Sequence, residues 1–253
     1  MVVIKSAEEI EIMKESCFIA ALVLKTAGEV IKPGVTTAYV NRVIDDCITS
    51  KGAVASFLGY NGFPESACIS INNEVIHGIP SATRVINEGD IVSVDVGAFF
   101  KGFHSDNAAT FAVGEVDSSV RKLLEVTKES LELAIRAATV GSRIGDISNA
   151  IQGHVEENGF TVVKEYVGHG VGKNLHEDPA IPNYGEAGQG LELVSGMTLA
   201  IEPMVNLGKA YVKMLRDGWT VVTRDGSCSA HFEHTIWVTD SGPQILTRVD
   251  DES

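Results

Sequence analysis

A repeat at one fixed offset constrains this chain more than any other feature. Met13, Cys17, Ala20, Leu24, Ala27 and Ile31 advance by alternating steps of four and three residues, the spacing of one helix face. Moved 107 positions, the stripe returns as Val120, Leu124, Thr127, Leu131, Ala134 and Ala138. A second helical pattern shares the offset: Gly34, Val40, Ile44, Ile48 and Gly52 map onto Gly141, Ile147, Ile151, Val155 and Gly159. Apolar periodicity alone matches by chance, but glycines that end elements have no such reason to coincide. The chain therefore reads as two copies of one unit, roughly residues 6–113 and 114–245, each opening with two helices. The first helix starts at a capping-box pattern, Ser6 with Glu9, and Pro33 stops it.

After its helices each half turns to strands. "EGDIVSVDVGAFF" aligns with "VSGMTLAIEPMVN", Gly89 over Gly196, which sets Asp95 over Glu202. A carboxylate buried in a strand costs several kcal/mol or takes up a proton unless something pairs it. A Lys or Arg partner would explain one such acid; two at equivalent positions point to a shared cation. Lys101-Gly102 reads as a two-residue hairpin turn, so residues whose numbers add to 203 face each other. Asp95 and Asp106 become diagonal neighbours on one face. In "SCSAHFEHTIWVTDSG", Glu233 takes the place opposite Asp106 in the repeat. Four carboxylates thus converge, and like charges this close call for one or two divalent cations.

One neutral imidazole would complete such a set. "YVGHGVGKNLHEDP", residues 166–179, supplies two histidines among glycines. The glycines do not make a phosphate loop, because position 167 is Val and Lys173 is followed by Asn174 rather than Ser or Thr. Nor do they fit a dinucleotide fingerprint, since Lys173 stands where its third glycine belongs. His169, between small residues, is the ligand candidate. His176 and His77 both open an H-x-x-P stretch and are candidates for chemistry near it. His104 and His231, each two residues before a carboxylate, are held in reserve on strand alternation. His154 falls in a helical pattern, and His234 points away from Glu233; both read as structural.

Composition excludes several classes. With 44% apolar and 21% charged residues the 253-residue chain is globular, and it is read as a single domain, 1–253, with the internal repeat. "VDDES" is a short acidic tail. No apolar run reaches membrane-spanning length, and "MVVIKSAEEIEIMKES" turns acidic too early for a signal peptide, so a cytoplasmic protein is expected. Cys17, Cys47, Cys68 and Cys228 are widely spaced, as reduced thiols. A net charge of −14 argues against a broad nucleic-acid surface.

The stretches "CISINNEVIHGIPS", "GDIVSVDVGAFFKGFHSDNAATFAVG", "GHGVGKNLHEDP", "GMTLAIEPMVNLG", "DGWTVVT" and "FEHTIWVT" resemble the type I methionine aminopeptidases, over nearly the whole chain. The resemblance implies an α+β pita-bread fold: two pseudo-symmetric halves with a curved antiparallel sheet covered by helices. It also implies two divalent metal ions (Co, Mn, Fe or Zn) held by Asp95, Asp106, His169, Glu202 and Glu233, with Asp106 and Glu233 bridging them. The implied reaction is removal of the N-terminal methionine from nascent polypeptides when the second residue is small, by a hydroxide bridging the metals. Glu202 would shuttle the proton, His176 would stabilise the tetrahedral intermediate, and His77 would contact the peptide nitrogen beyond the cleaved bond. Tyr60, Phe63, Cys68 and Trp219 would line the methionine pocket. Asn107 departs from the family, where Ser or Thr more often follows the aspartate.

Two other activities share this fold. A proline-directed aminopeptidase of the same fold usually carries a further N-terminal domain, whereas this chain starts the unit at about residue 6. A binding module of the fold tends to lose ligands, and all five positions are filled here. The chain shows no zinc-finger-like extension before the unit, so any ribosome contact is expected through the catalytic domain surface. The expected state is a monomer without membrane attachment.

Overall fold

The computed structural model describes residues 2–249; Met1 and the acidic tail from Asp250 lie outside them. Four helices carry the apolar stripes: α1 (Ala7–Val30), α2 (Thr37–Ser50), α3 (Ser118–Ala137) and α4 (Ile144–Glu157). At the start of α1 the Ser6 hydroxyl accepts the Glu9 N–H at 3.2 Å while the Glu9 carboxylate accepts the Ser6 N–H at 3.0 Å. Such a cap stabilises a helix by about 1 kcal/mol. Moved by the repeat offset, α2 lands on α4 end for end.

Eight strands form one antiparallel sheet: β1 (Ala67–Ile71), β2 (Ile91–Val96), β3 (Asn107–Ala112), β4 (Val167–Gly170), β5 (Glu177–Pro182), β6 (Thr198–Ile201), β7 (Glu233–Thr239) and β8 (Gly242–Ile245). Their order is β5-β4-β6-β7-β3-β2-β1, with β8 beside the far end of β7. The strands of the first half meet those of the second at β3–β7, through Glu233↔Ala108 and His234↔Asn107. The hairpin register follows its turn: Asp95 faces Ala108, Val96 faces Asn107, and Phe99 faces His104. Lys101 and Gly102 both adopt positive φ, 49° and 91°, as a two-residue turn between twisted strands requires.

Period-two alternation sorts the two faces of the sheet. Val92, Val94 and Val96 are fully buried against Ala20, Leu24, Val40 and Ile44 of α1 and α2. Leu199, Ile201, Ile236 and Val238 pack on Leu123, Ile147 and Ile151 of α3 and α4. Each large apolar side chain buried this way contributes about 1.5–3 kcal/mol. The helices cover one face, so Asp95 and the residues level with it are left on the other.

The halves differ in length beyond their matching acids. Asp95 and Asp106 are 11 positions apart, whereas Glu202 and Glu233 are 31 apart. The extra chain forms a hairpin, Val212–Met214 with Val221–Thr223, which pairs with Glu74–Ile76 of the first half. Among the described residues no helix is long and apolar enough to cross a membrane.

Candidate metal and substrate site

Four strands, β2, β3, β7 and β6, set the acids in a row. Asp95 on β2 and Glu233 on β7 both stand beside Ala108 on β3, whose small side chain leaves space between them. Asp106 just precedes β3, diagonal to Asp95 as the turn predicts. On the other side β6 pairs with β7 through Ile201↔His234, and Met204↔His231 continues that register, so Glu202 stands across from Glu233. This alters the repeat equivalence drawn from sequence: Glu233 is level with Ala108, and His231 holds the place of Asp106. The long second-half insertion hid that shift, because no constant offset crosses it.

His169 on β4 faces Ala200, two residues before Glu202. Its Nδ1 lies 2.8 Å from the Gly170 carbonyl, so Nδ1–H donates there and the Nε2 lone pair faces the acids. Nε2 is 3.6 Å from Asp106 Oδ2 and 3.7 Å from Glu202 Oε1. The flanking glycines serve the packing of strands rather than a phosphate. A Cβ on Gly168 would meet the Ala200 carbonyl oxygen at 2.5 Å, and one on Gly170 would meet that of Asp178 at 2.3 Å.

The donor set fits divalent ions. Among the described residues, Asp95 Oδ1, Asp106 Oδ1 and Glu233 Oε1 are buried without a hydrogen-bond partner, and no Lys or Arg lines the cavity. Burial, then the neighbouring carboxylates, pushes Asp95 and Glu233 well above the usual carboxylate range. Ligand atoms of Asp106, His169 and Glu233 all lie within 4.8 Å of one another. Carboxylate oxygens with one imidazole suit a divalent ion, and its charge would relieve their repulsion. For His169, burial opposes the charged form, but the carboxylates of Asp106 and Glu202 outweigh it and raise the pKa.

A cavity of about 160 Å³ opens beside this cluster. The eleven residues named in the sequence as ligand, catalytic or pocket candidates line it: Tyr60, Phe63, Cys68, His77, Asp95, Asp106, His169, His176, Glu202, Trp219 and Glu233, whereas the reserve candidates His104 and His231 do not. Phe57, Asn61 and Leu175 line it too, and nothing in the sequence marked them, since two apolar residues and an asparagine in a turn carry no chemical signature. Phe57, Phe63, Cys68 and Leu175 form a buried apolar cluster, with Tyr60 and Trp219 packed against it. Trp219 is placed by the inserted hairpin, where the Asp217 carboxylate accepts the N–H groups of Trp219 and Thr220 at 2.9 Å.

The histidines divide by position. His77 takes φ 58°, in the left-handed region, and Gly78 after it lies so close to the Ile69 carbonyl that no side chain fits there. Burial holds the His77 imidazole down to about 4. His176 Nδ1 is 2.7 Å from the Tyr60 hydroxyl, and its ring lies 4.2 Å from that of His169. Burial, then the neighbouring His169, lowers its pKa. His231 reaches Glu202 at 3.3 Å, whereas His104 bonds Ser56 and stacks on Phe99 outside the cavity lining. His154 pairs with Glu129 on the surface, and His234 bonds Thr247 on the helix-covered face. A larger cavity, about 520 Å³, lies on that face between α1 and α3 and contains none of the candidate residues.

The model of metallopeptidase family M24 matches residues 11–240. The chain belongs to this family. A methionine aminopeptidase of Clostridium acetobutylicum is 52% identical over 247 residues, covering 98% of this chain and 99% of the relative. Methionine aminopeptidase 1 of Bacillus subtilis is 51% identical over 249 residues, covering 98% and 100%. The crystal structure of methionine aminopeptidase from Thermotoga maritima superposes with TM-score 0.97 at 48% identity, covering 98% and 100%. Prolidase from Pyrococcus furiosus shares the fold at TM-score 0.79 and 26% identity, with 98% of this chain against 66% of that one. The M24 chain is thus a pita-bread metallopeptidase grouped with the methionine aminopeptidases, and it uses divalent metal.

Proposed function

We propose that this chain removes the N-terminal methionine from polypeptides whose second residue is small, with two divalent ions, Mn, Fe, Co or Zn, held by Asp95, Asp106, His169, Glu202 and Glu233. The observation that carries this is the apolar pocket of Phe63, Cys68, Tyr60 and Trp219 opening directly onto four carboxylates and an imidazole. Four carboxylates balance the charge of two dications. When bound, such ions polarise a carbonyl and lower the pKa of an attacking water.

The side chains supply the rest. Glu202 faces Glu233 across the ladder and moves a proton from the attacking water to the departing amine. Burial raises the Tyr60 phenol, keeping it protonated, so it donates to His176 Nδ1 and fixes the ring proton on Nε2. That N–H is the donor for the carbonyl oxygen as negative charge builds on it. His77, neutral down to about pH 4, contacts the peptide nitrogen beyond the cleaved bond and crowds the second residue. The methionine side chain fills the apolar pocket, whose soft aromatic and thiol lining suits a thioether. On this reading the enzyme works in the cytoplasm as a monomer that meets nascent chains there, any ribosome contact being made through the domain surface.

The test is a peptide panel with the metal-loaded protein: Met-Ala-Ser, Met-Lys-Ser, formyl-Met-Ala-Ser and Ala-Pro-Ala. Met-Ala-Ser should be cleaved faster than the others by orders of magnitude. Fastest release from Ala-Pro-Ala would move the chain to the proline-directed branch, and cleavage of none would favour a binding module.

A further inference from the structure

His176 sits at the end of an irregular stretch, residues 171–176, between β4 and β5. Val171 and Leu175 anchor it through buried side chains, and the part between them is held by groups from far away in sequence. Lys5 Nζ reaches Glu177 Oε2 at 2.6 Å, and both side chains are nearly inaccessible, 3% and 5% exposed. The other Glu177 oxygen accepts the Asn174 N–H at 3.1 Å, which closes the stretch onto the residue after His176.

The surroundings leave this pair little freedom. A Cβ on Gly172 would meet Lys5 Cε at 2.6 Å and the Glu177 carboxylate at 2.7 Å, so the loop wraps directly around the ion pair. The Gly172 carbonyl accepts the His104 N–H at 2.7 Å. Lys5 itself is anchored, its N–H donating to the Gly196 carbonyl at 3.0 Å and its ammonium also to the Val3 carbonyl at 3.2 Å. It stands one residue before Ser6, the cap of α1. Lys173, at the outer edge of the loop, pairs with Glu9 in the first turn of that helix at 2.7 Å. The start of α1 and the His176 loop are therefore one built unit.

We propose that Lys5 is a positioning residue: through its buried ion pair with Glu177 it fixes the loop that presents His176 to the reacting carbonyl. This rests on the reading of His176 given above. A charged pair buried at this cost is more than a surface tether, since either partner alone would be an uncompensated charge in the fold. A misplacement of His176 by a fraction of its hydrogen-bond length weakens a donor that acts in the transition state.

The experiment joins a spectroscopic readout to a kinetic cycle. Imidazole ¹⁵N correlation spectra of the zinc-loaded protein and of Lys5→Met report the surroundings of His176, and kcat and KM for Met-Ala-Ser are measured for Lys5→Met, His176→Ala and the double variant. The expected result is a shifted His176 signal, a kcat lowered about ten- to a hundredfold with KM little changed, and no further loss when Lys5→Met is added to His176→Ala. An unmoved His176 signal, or an equal loss of kcat on the His176→Ala background, overturns the proposal. A moved signal with unchanged kcat supports the positioning and refutes the catalytic reading of His176 instead. Should Lys5→Met not fold, Glu177→Gln removes the charge of the partner at nearly the same size and is read in the same way.

Discussion

In the proposed mechanism Glu202 carries two duties at one carboxylate, and substitution should separate them from simple loss of fold. Glu202→Gln is expected to lose most turnover and also to weaken metal binding, measured by calorimetric titration of Mn²⁺ into the stripped protein; wild-type turnover would refute the shuttle. His176→Ala should lower kcat by about 10²–10³ with KM nearly unchanged, because the donor acts mainly in the transition state. A raised KM with intact kcat would make His176 a substrate-binding group. His234 gives a prediction outside the chemistry. Burial, then Arg248 and Lys128, holds its imidazole down to about 4, below the ordinary value near 6.5. Between those values the unfolded chain binds a proton that the fold refuses. Its contribution to stability is thus intact above about pH 6.5 and declines as pH falls toward 4, by up to ~1.4 kcal/mol per pH unit. Denaturant unfolding at pH 7 and pH 5 should therefore show a smaller difference for His234→Gln than for wild type; equal differences would contradict the assignment.

At the level of elements, close strand approach limits what β4 can carry. Gly170→Ala would drive a methyl into the Asp178 carbonyl oxygen, a backbone atom with no rotamer to yield. A loss of about 1–3 kcal/mol is expected in chemical denaturation. An unchanged midpoint would show that the β4–β5 ladder tolerates separation. The β2–β3 register was legible because a two-residue turn fixes which residues pair, and Lys101-Gly102 can hardly be anything else. The β6–β7 register was not, because 31 positions with an inserted hairpin separate Glu202 from Glu233 and no turn rule spans them. The ends of α1 were legible from Ser6, Glu9 and Pro33, which act on their own neighbours. Lys5 was not, since a lysine near a chain end looks solvated until the fold brings Glu177 to it.

For the molecule as a whole, the repeat set the plan: two helical pairs over one face of the sheet, and acids from both halves on the other. Four candidate carboxylate ligands could be read from the sequence because charges in strands need a reason, and His169 followed as the imidazole that would complete the set. The proposed methionine pocket of Tyr60, Phe63, Cys68 and Trp219 came only from the resemblance, since by sequence these residues differ in no visible way from core residues. Buried carboxylates that repel one another must take up protons or hold a cation among them, and only the cation equips the site for hydrolysis, so metal dependence is decisive. The most direct measurement is peptidase activity on Met-Ala-Ser before and after chelation, with metal content determined by elemental analysis on the same samples. The stripped protein should be inert and should recover turnover when a divalent cation is restored; full activity in a sample verified to hold no metal would contradict it.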